Sequence, residues 1–168
     1  MILKNVSGYI EMSNAEILIR KLVDKNFTIT TAESCTGGMI ASSIVDVPNA
    51  SNCFNEGFVT YSNNAKQKYI GVSEKTLSQY GAVSENTVIE MAKGVIGATG
   101  ADISVVSSGI AGPGGGTKDK PVGLVYLAVS YKGNVKTSEK IYEGDRTAVR
   151  KQATYDAICM CIYMLTKM

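Results

Sequence analysis

The sequence predicts an α/β layer fold with a mixed, mainly parallel sheet of about five strands. Helical and extended patterns alternate along most of the chain, which is typical of helices packed on a parallel sheet. One pair of predicted strands is separated only by a short glycine turn, which indicates an antiparallel hairpin. The 168 residues, 45% of them hydrophobic, suit one domain. We expect that domain over residues 13–168, after an N-terminal extension over residues 1–12.

The first half of the chain is predicted to contain three helices and two strands. Ser13 and Glu16 form an S-x-x-E capping box at the first helix, and apolar residues follow at helical spacing. A turn at 33–34 leads into the second helix, whose first turn is expected to hold Gly37 and Gly38. The helices are predicted at about 13–24, 36–45 and 63–69, and the strands at 27–31 and 57–62.

The second half is predicted to contain two helices and three strands. The turn Lys132-Gly133-Asn134 separates the hairpin strands, and Asp145 is expected to cap the last helix. Residues 109–121 are rich in glycine and cannot build a core, so we expect them at the surface or in a site. The helices are predicted at 84–97 and 146–165, and the strands at 102–108, 122–130 and 135–143.

The absence of histidine restricts the possible chemistry most strongly. A chain without histidine has no Ser-His-Asp triad, no Cys-His pair and no histidine metal site. Any general base must be lysine, aspartate, glutamate, tyrosine or water. No acidic pair has the spacing of a magnesium site, so we expect no metal, and we also expect no cofactor.

Charge and cysteine content indicate the surroundings in which the protein acts. The net charge is only +2 and the 17 basic residues are scattered, so we expect no nucleic-acid partner. The four cysteines form no CxxC pair, no secretory leader is visible, and the longest apolar run, 124–129, is far too short to span a bilayer. We therefore expect a cytoplasmic protein that binds no membrane.

The first candidate site is the segment TAESCTGG at 31–38, which has the pattern of a strand, a tight turn and a helix start. Ser34 at that junction is a candidate nucleophile, and the N–H groups of the first helical turn could form an oxyanion hole. The alternative is a serine that only caps the helix. Cys35 is a rival nucleophile, but without a histidine partner we expect it to be a small buried residue.

The second candidate site lies in the segment 58–66, where a strand end leads into a helix. Burial disfavours the charged form of lysine, so a partly desolvated Lys66 could act as the base for a serine, with Tyr61 relaying the proton. The alternative is a tyrosine that only packs and a lysine that is solvated.

A third candidate is the pair Arg146 and Arg150, which stand four residues apart at the start of the last predicted helix. A monophosphate could bind there, although paired arginines can instead be solvated or bound to a carboxylate. The glycine-rich loop matches neither a P-loop nor a dinucleotide fingerprint. We therefore do not expect a nucleotide triphosphatase.

Six motifs together resemble one known family. They are AESCTGG (32–38), GFVTYSNNAK (57–66), GAVSE (81–85), GIAGPGGG (109–116), KPVGLVY (120–126) and GDRTAVRKQA (144–153). In this order, over about residues 13–166, they resemble the CinA C-terminal domain family, and in particular its stand-alone nicotinamide-nucleotide amidohydrolases. The resemblance implies a three-layer α/β/α fold and hydrolysis of nicotinamide mononucleotide to nicotinate mononucleotide and ammonia.

The resemblance also implies roles for individual residues. The Ser-Tyr-Lys catalytic set of the family corresponds to Ser34, Tyr61 and Lys66. The substrate is predicted to bind to two glycine-containing loops and to one arginine, which is expected to hold the phosphate. The predicted binding residues are Cys35, Thr36, Gly37, Gly38, Gly109, Gly112 and Arg146. Glu33 could hold Lys66 or only the turn.

The expected partner is a small nucleotide substrate. The resemblance does not decide between a monomer and a homo-oligomer. Longer family members carry an N-terminal domain with pyrophosphatase activity, and here we expect only the amidohydrolase. One alternative is a serine amidase that acts on a different small carboxamide. The other is a nucleotide-binding or competence-associated interaction module that keeps the pocket without turnover.

Overall fold

The structure, a computed structural model, describes residues 2–5 and 8–168. The expected N-terminal extension over residues 1–12 therefore includes three residues, 1, 6 and 7, that lie outside the described ranges. Ile2–Asn5 (β1) and Gly8–Glu11 (β2) pair antiparallel as a separate two-stranded sheet. The helices and the main sheet all follow residue 12.

The main sheet has five strands. They are Ile29–Glu33 (β3), Phe54–Val59 (β4), Ile103–Gly109 (β5), Leu124–Tyr131 (β6) and Asn134–Ile141 (β7). Their order in the sheet is β4-β3-β5-β6-β7. β3 is parallel to both of its neighbours, whereas β6 is antiparallel to both of its own. Four of the five strands therefore share one direction, which confirms the mixed, mainly parallel sheet.

Six helices surround this sheet in the part of the chain that the structure describes. They are Asn14–Asp24 (α1), Met39–Val45 (α2), Asn63–Ile70 (α3), Glu74–Tyr80 (α4), Glu85–Thr99 (α5) and Arg146–Thr166 (α6). The capping box at α1 is confirmed, because Ser13 Oγ accepts from the Glu16 N–H and Glu16 accepts in return from the Ser13 N–H. Asp145 caps α6 as predicted, by accepting from the Ala148 N–H at 2.8 Å. Helix α4 was not predicted.

The helices cover both faces of the sheet, each over its own hydrophobic core. Helices α1, α2 and α6 pack on one face, where Leu22, Ile44 and Ile158 are buried. Helices α3, α4 and α5 pack on the other face, where Leu77 and Met91 are buried. Strand β3 lies between the two layers of helices, and all five of its residues are therefore buried. This arrangement confirms the three-layer α/β/α fold.

The segment that follows β3 differs from the prediction. The strand was expected at 27–31 but runs to Glu33, and helix α2 begins at Met39 rather than at residue 36. Gly37 and Gly38 are not in the first helical turn, since their φ angles of +61° and +95° belong to the left-handed region. Glycine enters this region without the steric cost that a Cβ imposes. Residues 34–38 therefore form a turn between strand and helix.

Smaller differences concern the ends of other strands. β4 lies at 54–59 instead of 57–62, so Tyr61 follows the strand rather than belonging to it. In the hairpin, Lys132 and Gly133 form a two-residue turn with φ of +48° and +80°, while Asn134 already pairs with Tyr131. A two-residue turn with two positive φ angles matches the twist of antiparallel strands.

No helix within residues 12–168 is long and apolar enough to cross a membrane.

Candidate active site

A cleft of about 300 Å³ opens at the carboxyl ends of the parallel strands β3, β4 and β5. This edge is where open α/β sheets commonly bind ligands, since loops from several strands meet there. Six of the residues predicted for the site line the cleft: Ser34, Cys35, Tyr61, Gly109, Gly112 and Arg146. A larger groove of about 990 Å³ lies between β7 and α6, and none of the predicted site residues lines it.

Ser34 is held at the edge of the sheet by the backbone. It follows β3 directly, and its N–H donates to the carbonyl oxygen of Ser107 in β5 at 2.9 Å. The residue is only 8% exposed. This position presents its hydroxyl to the cleft from a rigid strand end rather than from a loose loop.

Lys66 lies beside Ser34, at a distance that suits proton transfer. Its Nζ is 3.1 Å from Ser34 Oγ and donates to the carbonyl oxygen of Thr60 at 2.7 Å. The side chain is completely buried, and burial lowers the pKa of Lys66 from 10.5 to about 8, with a smaller opposing effect from Cys35. Within residues 12–168, no carboxylate lies within ion-pair distance of Lys66. The amine therefore loses its proton at about pH 8, and its neutral form can accept the proton of Ser34.

Glu33 does not contact Lys66. Its side chain is fully buried and turns toward the start of α2, where one carboxylate oxygen accepts from Thr36 Oγ1 at 2.6 Å. The same oxygen accepts from the N–H groups of Gly38 and Ile40, and the other accepts from the N–H of Ala41 at 2.8 Å. Of the two roles left open for Glu33, the structure therefore shows that it holds the turn.

Arg150 also holds the turn that carries Ser34. Its Nε donates to the carbonyl oxygen of Cys35 at 3.1 Å, and its Nη2 donates to that of Thr36 at 2.8 Å. The alternatives considered for this arginine were a phosphate, solvent or a carboxylate. The structure instead shows backbone carbonyl oxygens as its partners, so Arg146 and Arg150 do not act as a pair.

These contacts change the expected oxyanion hole. The N–H groups of Gly38, Ile40 and Ala41 point at Glu33, so the start of α2 does not face the cleft. The Thr36 hydroxyl is also engaged, between Glu33 and Ser107. Of the predicted binding set, Thr36, Gly37 and Gly38 do not line the cleft. The oxyanion donors expected from this turn are thereby reduced to the N–H group of Cys35, the one residue of 35–38 that lines the cleft.

Cys35 has the environment of a buried thiol rather than of a nucleophile. It is 5% exposed, and burial raises its pKa to about 11, against smaller lowering effects from the Ser107 hydroxyl and neighbouring N–H groups. A thiol with this pKa is almost entirely protonated at neutral pH, and only the thiolate is strongly nucleophilic. This agrees with the interpretation of Cys35 as a small buried residue.

Tyr61 and Arg146 stand at the mouth of the cleft. Tyr61 is 63% exposed, and its hydroxyl accepts from Arg146 Nη2 at 3.3 Å. Arg146 Nη1 donates to the carbonyl oxygen of Gly112 in the glycine-rich loop at 3.0 Å. The structure does not bring the Tyr61 hydroxyl into hydrogen-bond contact with Ser34 or Lys66. The predicted site residues therefore form two groups, Ser34 with Lys66 inside and Tyr61 with Arg146 at the mouth.

The sequence reasoning gave no role to two segments that line the cleft. Ala82 and Val83 do so from the segment after α4, and Ser108 does so from the end of β5. Ser108 Oγ donates to the carbonyl oxygen of Ala82 at 2.7 Å, which ties the two segments together. The GAVSE motif at 81–85, one of the six motifs that carry the resemblance, was the available signal. Among residues 12–168, no group of three or more cysteine, aspartate or glutamate side chains could hold a metal ion.

Comparison with known protein families matches most of the chain to one family. The family model of the CinA C-terminal domain matches residues 11–165. A relative from Clostridium novyi (strain NT), which carries the name competence-damage inducible protein, is 52% identical over 148 residues, or 88% of this chain. A protein of the same name from Clostridioides difficile (strain 630) is 48% identical over 156 residues, or 90% of this chain. The chain spans only 36% and 37% of the lengths of these two relatives.

Solved structures of similar length share the fold. A crystal structure of a competence-damaged protein (CinA) superfamily protein from Klebsiella pneumoniae 700603 superposes with a TM-score of 0.89 at 34% identity, covering 94% of this chain and all of that one. The competence/damage inducible protein CihA from Agrobacterium tumefaciens superposes with a TM-score of 0.85 at 39% identity, covering 94% of this chain and 98% of that one.

Proposed function

The chain belongs to the CinA C-terminal domain family, and from that premise and the geometry of the cleft we propose that it is a serine amidohydrolase. Its proposed reaction is the hydrolysis of the carboxamide of nicotinamide mononucleotide, which yields nicotinate mononucleotide and ammonia. The observation that carries the proposal is the 3.1 Å contact between Ser34 Oγ and a fully buried Lys66. A serine needs an adjacent base to become nucleophilic, and in a chain without histidine this lysine supplies one.

The proposed reaction proceeds in two steps. Ser34 Oγ attacks the carboxamide carbon while the neutral amine of Lys66 takes the hydroxyl proton. Lys66 then gives this proton to the departing nitrogen, so that ammonia leaves and an ester links the substrate acyl group to Ser34. A water molecule attacks the ester and loses a proton to Lys66. Lys66 returns this proton to Ser34 Oγ as the bond between the acyl carbon and Ser34 breaks, and the released acid ionises to the carboxylate.

The mouth of the cleft suits the phosphate end of a nucleotide. The guanidinium of Arg146 carries five N–H donors, of which the contacts to Gly112 and Tyr61 use two. The remaining donors can bind a phosphate through charge-assisted hydrogen bonds near the start of α6. Tyr61 retains its proposed relay role, which requires its hydroxyl to leave Arg146 and approach Ser34.

Release of ammonia from purified protein tests the proposal. The substrate panel is nicotinamide, its riboside and its mononucleotide, with Ser34→Ala as the matched inactive control. We expect wild-type protein to release ammonia from the mononucleotide far faster than from the other two. Comparable release from all three would indicate a less specific serine amidase. Binding of the mononucleotide without ammonia release would instead support a nucleotide-binding module.

A further inference from the structure

The buried carboxylate of Glu33 lies one residue before the proposed nucleophile, and the reaction proposed above gives it no role. Its backbone is fixed by the sheet, because Glu33 is the last residue of β3 and its carbonyl oxygen accepts from the Thr60 N–H at 2.9 Å. Its side chain spans the turn of residues 34–38 and reaches the start of α2. Glu33 therefore connects the strand end to the helix start across the residue that carries the reactive hydroxyl.

The contacts of Glu33 replace a cap that α2 cannot make by itself. The residue at the cap position is Gly38, which has no side chain. A helix start leaves N–H groups without partners, and an anionic side chain is the most favourable acceptor there. Glu33 accepts from three such groups, on Gly38, Ile40 and Ala41, and from the hydroxyl of Thr36. Four hydrogen bonds to one carboxylate therefore connect the end of β3 to the turn and to the start of α2.

The same turn is anchored from two other directions. Ser107 contacts it through its carbonyl oxygen, which accepts from the Ser34 N–H, and through its hydroxyl, which is 2.6 Å from Thr36 Oγ1. Arg150 binds the carbonyl oxygens of Cys35 and Thr36. None of these groups contacts the Ser34 hydroxyl, so they determine where that hydroxyl stands without taking part in the proton transfer.

We propose that Glu33 is a positioning residue, which holds the 34–38 turn so that Ser34 Oγ stays within reach of Lys66 Nζ. The inference rests on the proposed role of Ser34 as nucleophile. A carboxylate suits this role because all four of its contacts donate to it. In glutamine at the same place only the carbonyl oxygen can accept, and the amide nitrogen would face an N–H donor. Part of the network would then break, and the turn would be free to move.

Covalent labelling of Ser34 by a fluorophosphonate tests the inference without any nucleotide substrate. In this reaction Ser34 Oγ displaces fluoride from phosphorus while its proton passes to Lys66. Labelling is followed by intact-protein mass spectrometry in wild-type protein, Glu33→Gln and Glu90→Gln. Glu90 is the matched control, because it also accepts from a backbone N–H and from two hydroxyls, on Ser73 and Thr76, at the start of α4. It does not line the cleft.

We expect Glu33→Gln to slow labelling at least tenfold, and Glu90→Gln to label at the wild-type rate. The circular dichroism spectrum and Tm of both variants establish that they are folded. Labelling of Glu33→Gln within twofold of the wild type would overturn the positioning role. Wild-type protein that is not labelled on Ser34 would instead contradict the proposed nucleophile, so the two failures are distinguishable.

A second variant keeps the inference testable if Glu33→Gln does not fold. Thr36→Val removes one donor to Glu33 and leaves the carboxylate in place. We expect labelling about threefold or more slower than in wild-type protein, because the turn loses its link between Glu33 and Ser107. A Thr36→Val rate equal to that of the wild type would count against the inference.

Discussion

At the scale of single residues, the burial of Lys66 is the property from which the proposed chemistry follows. A lysine in water holds its proton until pH 10.5, whereas burial lowers the pKa of Lys66 to about 8. The shift favours the neutral amine by about 3 kcal/mol, at about 1.4 kcal/mol for each pH unit. A general base transfers protons most effectively when its pKa lies near the pH at which it works, and burial brings the pKa of Lys66 closer to neutral pH.

The pH dependence of the rate follows from this pKa. The base acts as the neutral amine, so kcat/KM is expected to rise with pH up to about 8 and to level off above it. Lys66→Arg keeps the positive charge but cannot release a proton in this range. We therefore expect both Lys66→Arg and Lys66→Ala to lose about 100-fold or more of kcat/KM. Rates of ammonia release between pH 6 and 10 provide the measurement. Substantial activity in Lys66→Arg would show that Lys66 acts only through its charge.

A second prediction concerns which of two neighbouring residues, Ser34 or Cys35, is the nucleophile. Ser34→Ala removes only the attacking oxygen, so kcat is expected to fall by several orders of magnitude with the fold intact. Cys35→Ala is expected to keep most of the activity, because burial keeps the thiol protonated, with a pKa of about 11. Steady-state rates of both variants decide between the two nucleophiles. Retained activity in Ser34→Ala together with loss in Cys35→Ala would reverse the assignment.

The pairing of Ser34 with Lys66 could be inferred from the sequence, whereas the contacts that support it could not. Both residues follow neighbouring parallel strands, and the carboxyl ends of such strands meet at one edge of a sheet. The partners of Glu33 and Arg150 depend instead on the direction of each side chain. Arg150 stands one helical turn after Arg146, yet it reaches inward to the turn, and no spacing rule distinguishes the two.

At the scale of elements, the contact between α3 and α5 depends on a single glycine. A Cβ placed on Gly94 of α5 would lie 1.7 Å from the carbonyl oxygen of Ile70, the last residue of α3. Neither backbone can give way without moving its helix. Since α3 also carries Lys66, this contact fixes the helix that presents the proposed base.

Gly94→Ala is therefore expected to destabilise the protein by about 2 kcal/mol or more, through overpacking between two backbones. Gly97→Ala on the same helix is the matched control, because no atom lies within 4 Å of its Cβ position. There alanine is expected to stabilise by up to about 1 kcal/mol through its higher helix propensity. Urea unfolding followed by circular dichroism measures both. Equal effects of the two substitutions would contradict the close contact.

Helices with a long periodic pattern and a polar cap were predictable, as α1, α5 and α6 illustrate. Helix α4 was missed because its seven residues bury only Thr76 and Leu77, which is too short a pattern to show a helical period. Helix α2 was predicted to begin too early, because its apolar residues, from Met39 to Val45, show a helical period without marking the residue at which the helix starts. Only the left-handed conformation of Gly37 and Gly38 reveals that the helix begins after them.

At the scale of the whole molecule, the fold class and the mixed sheet could be predicted, but the order of the strands could not. The hairpin turn at Lys132-Gly133 indicates one antiparallel pair from local sequence alone. The parallel neighbours β4, β3 and β5 are joined through helices, and the packing of those helices determines which strands become adjacent. Such contacts join residues far apart in the chain and leave no short motif.

The buried lysine also affects the stability of the whole protein. Its pKa is lower in the folded state than in the unfolded state, so between pH 8 and 10.5 the unfolded chain binds more protons. The free energy of unfolding is therefore expected to rise across this window by up to about 3 kcal/mol from Lys66 alone. Below pH 8 this contribution is absent.

Lys66→Met tests this linkage. Methionine does not titrate, so the rise between pH 8 and 10.5 that belongs to Lys66 is expected to vanish. Urea unfolding of wild-type and variant protein at pH 7.5 and at pH 10 provides the comparison, and the difference between the proteins removes the effect of other titrating groups. A variant whose stability changes with pH just as the wild type does would show that Lys66 has an ordinary pKa.

The placement of Lys66, without a carboxylate within ion-pair distance in residues 12–168, has a consequence for product release. Under the proposed reaction an uncharged amide enters the cleft and an anionic carboxylate must leave it. An anion beside Lys66 raises the pKa of the amine, so below about pH 8 the protonated lysine holds the product electrostatically. Inhibition by added nicotinate mononucleotide is thus expected to strengthen as the pH falls from 9 to 7. The site would then slow its own turnover wherever the acid accumulates.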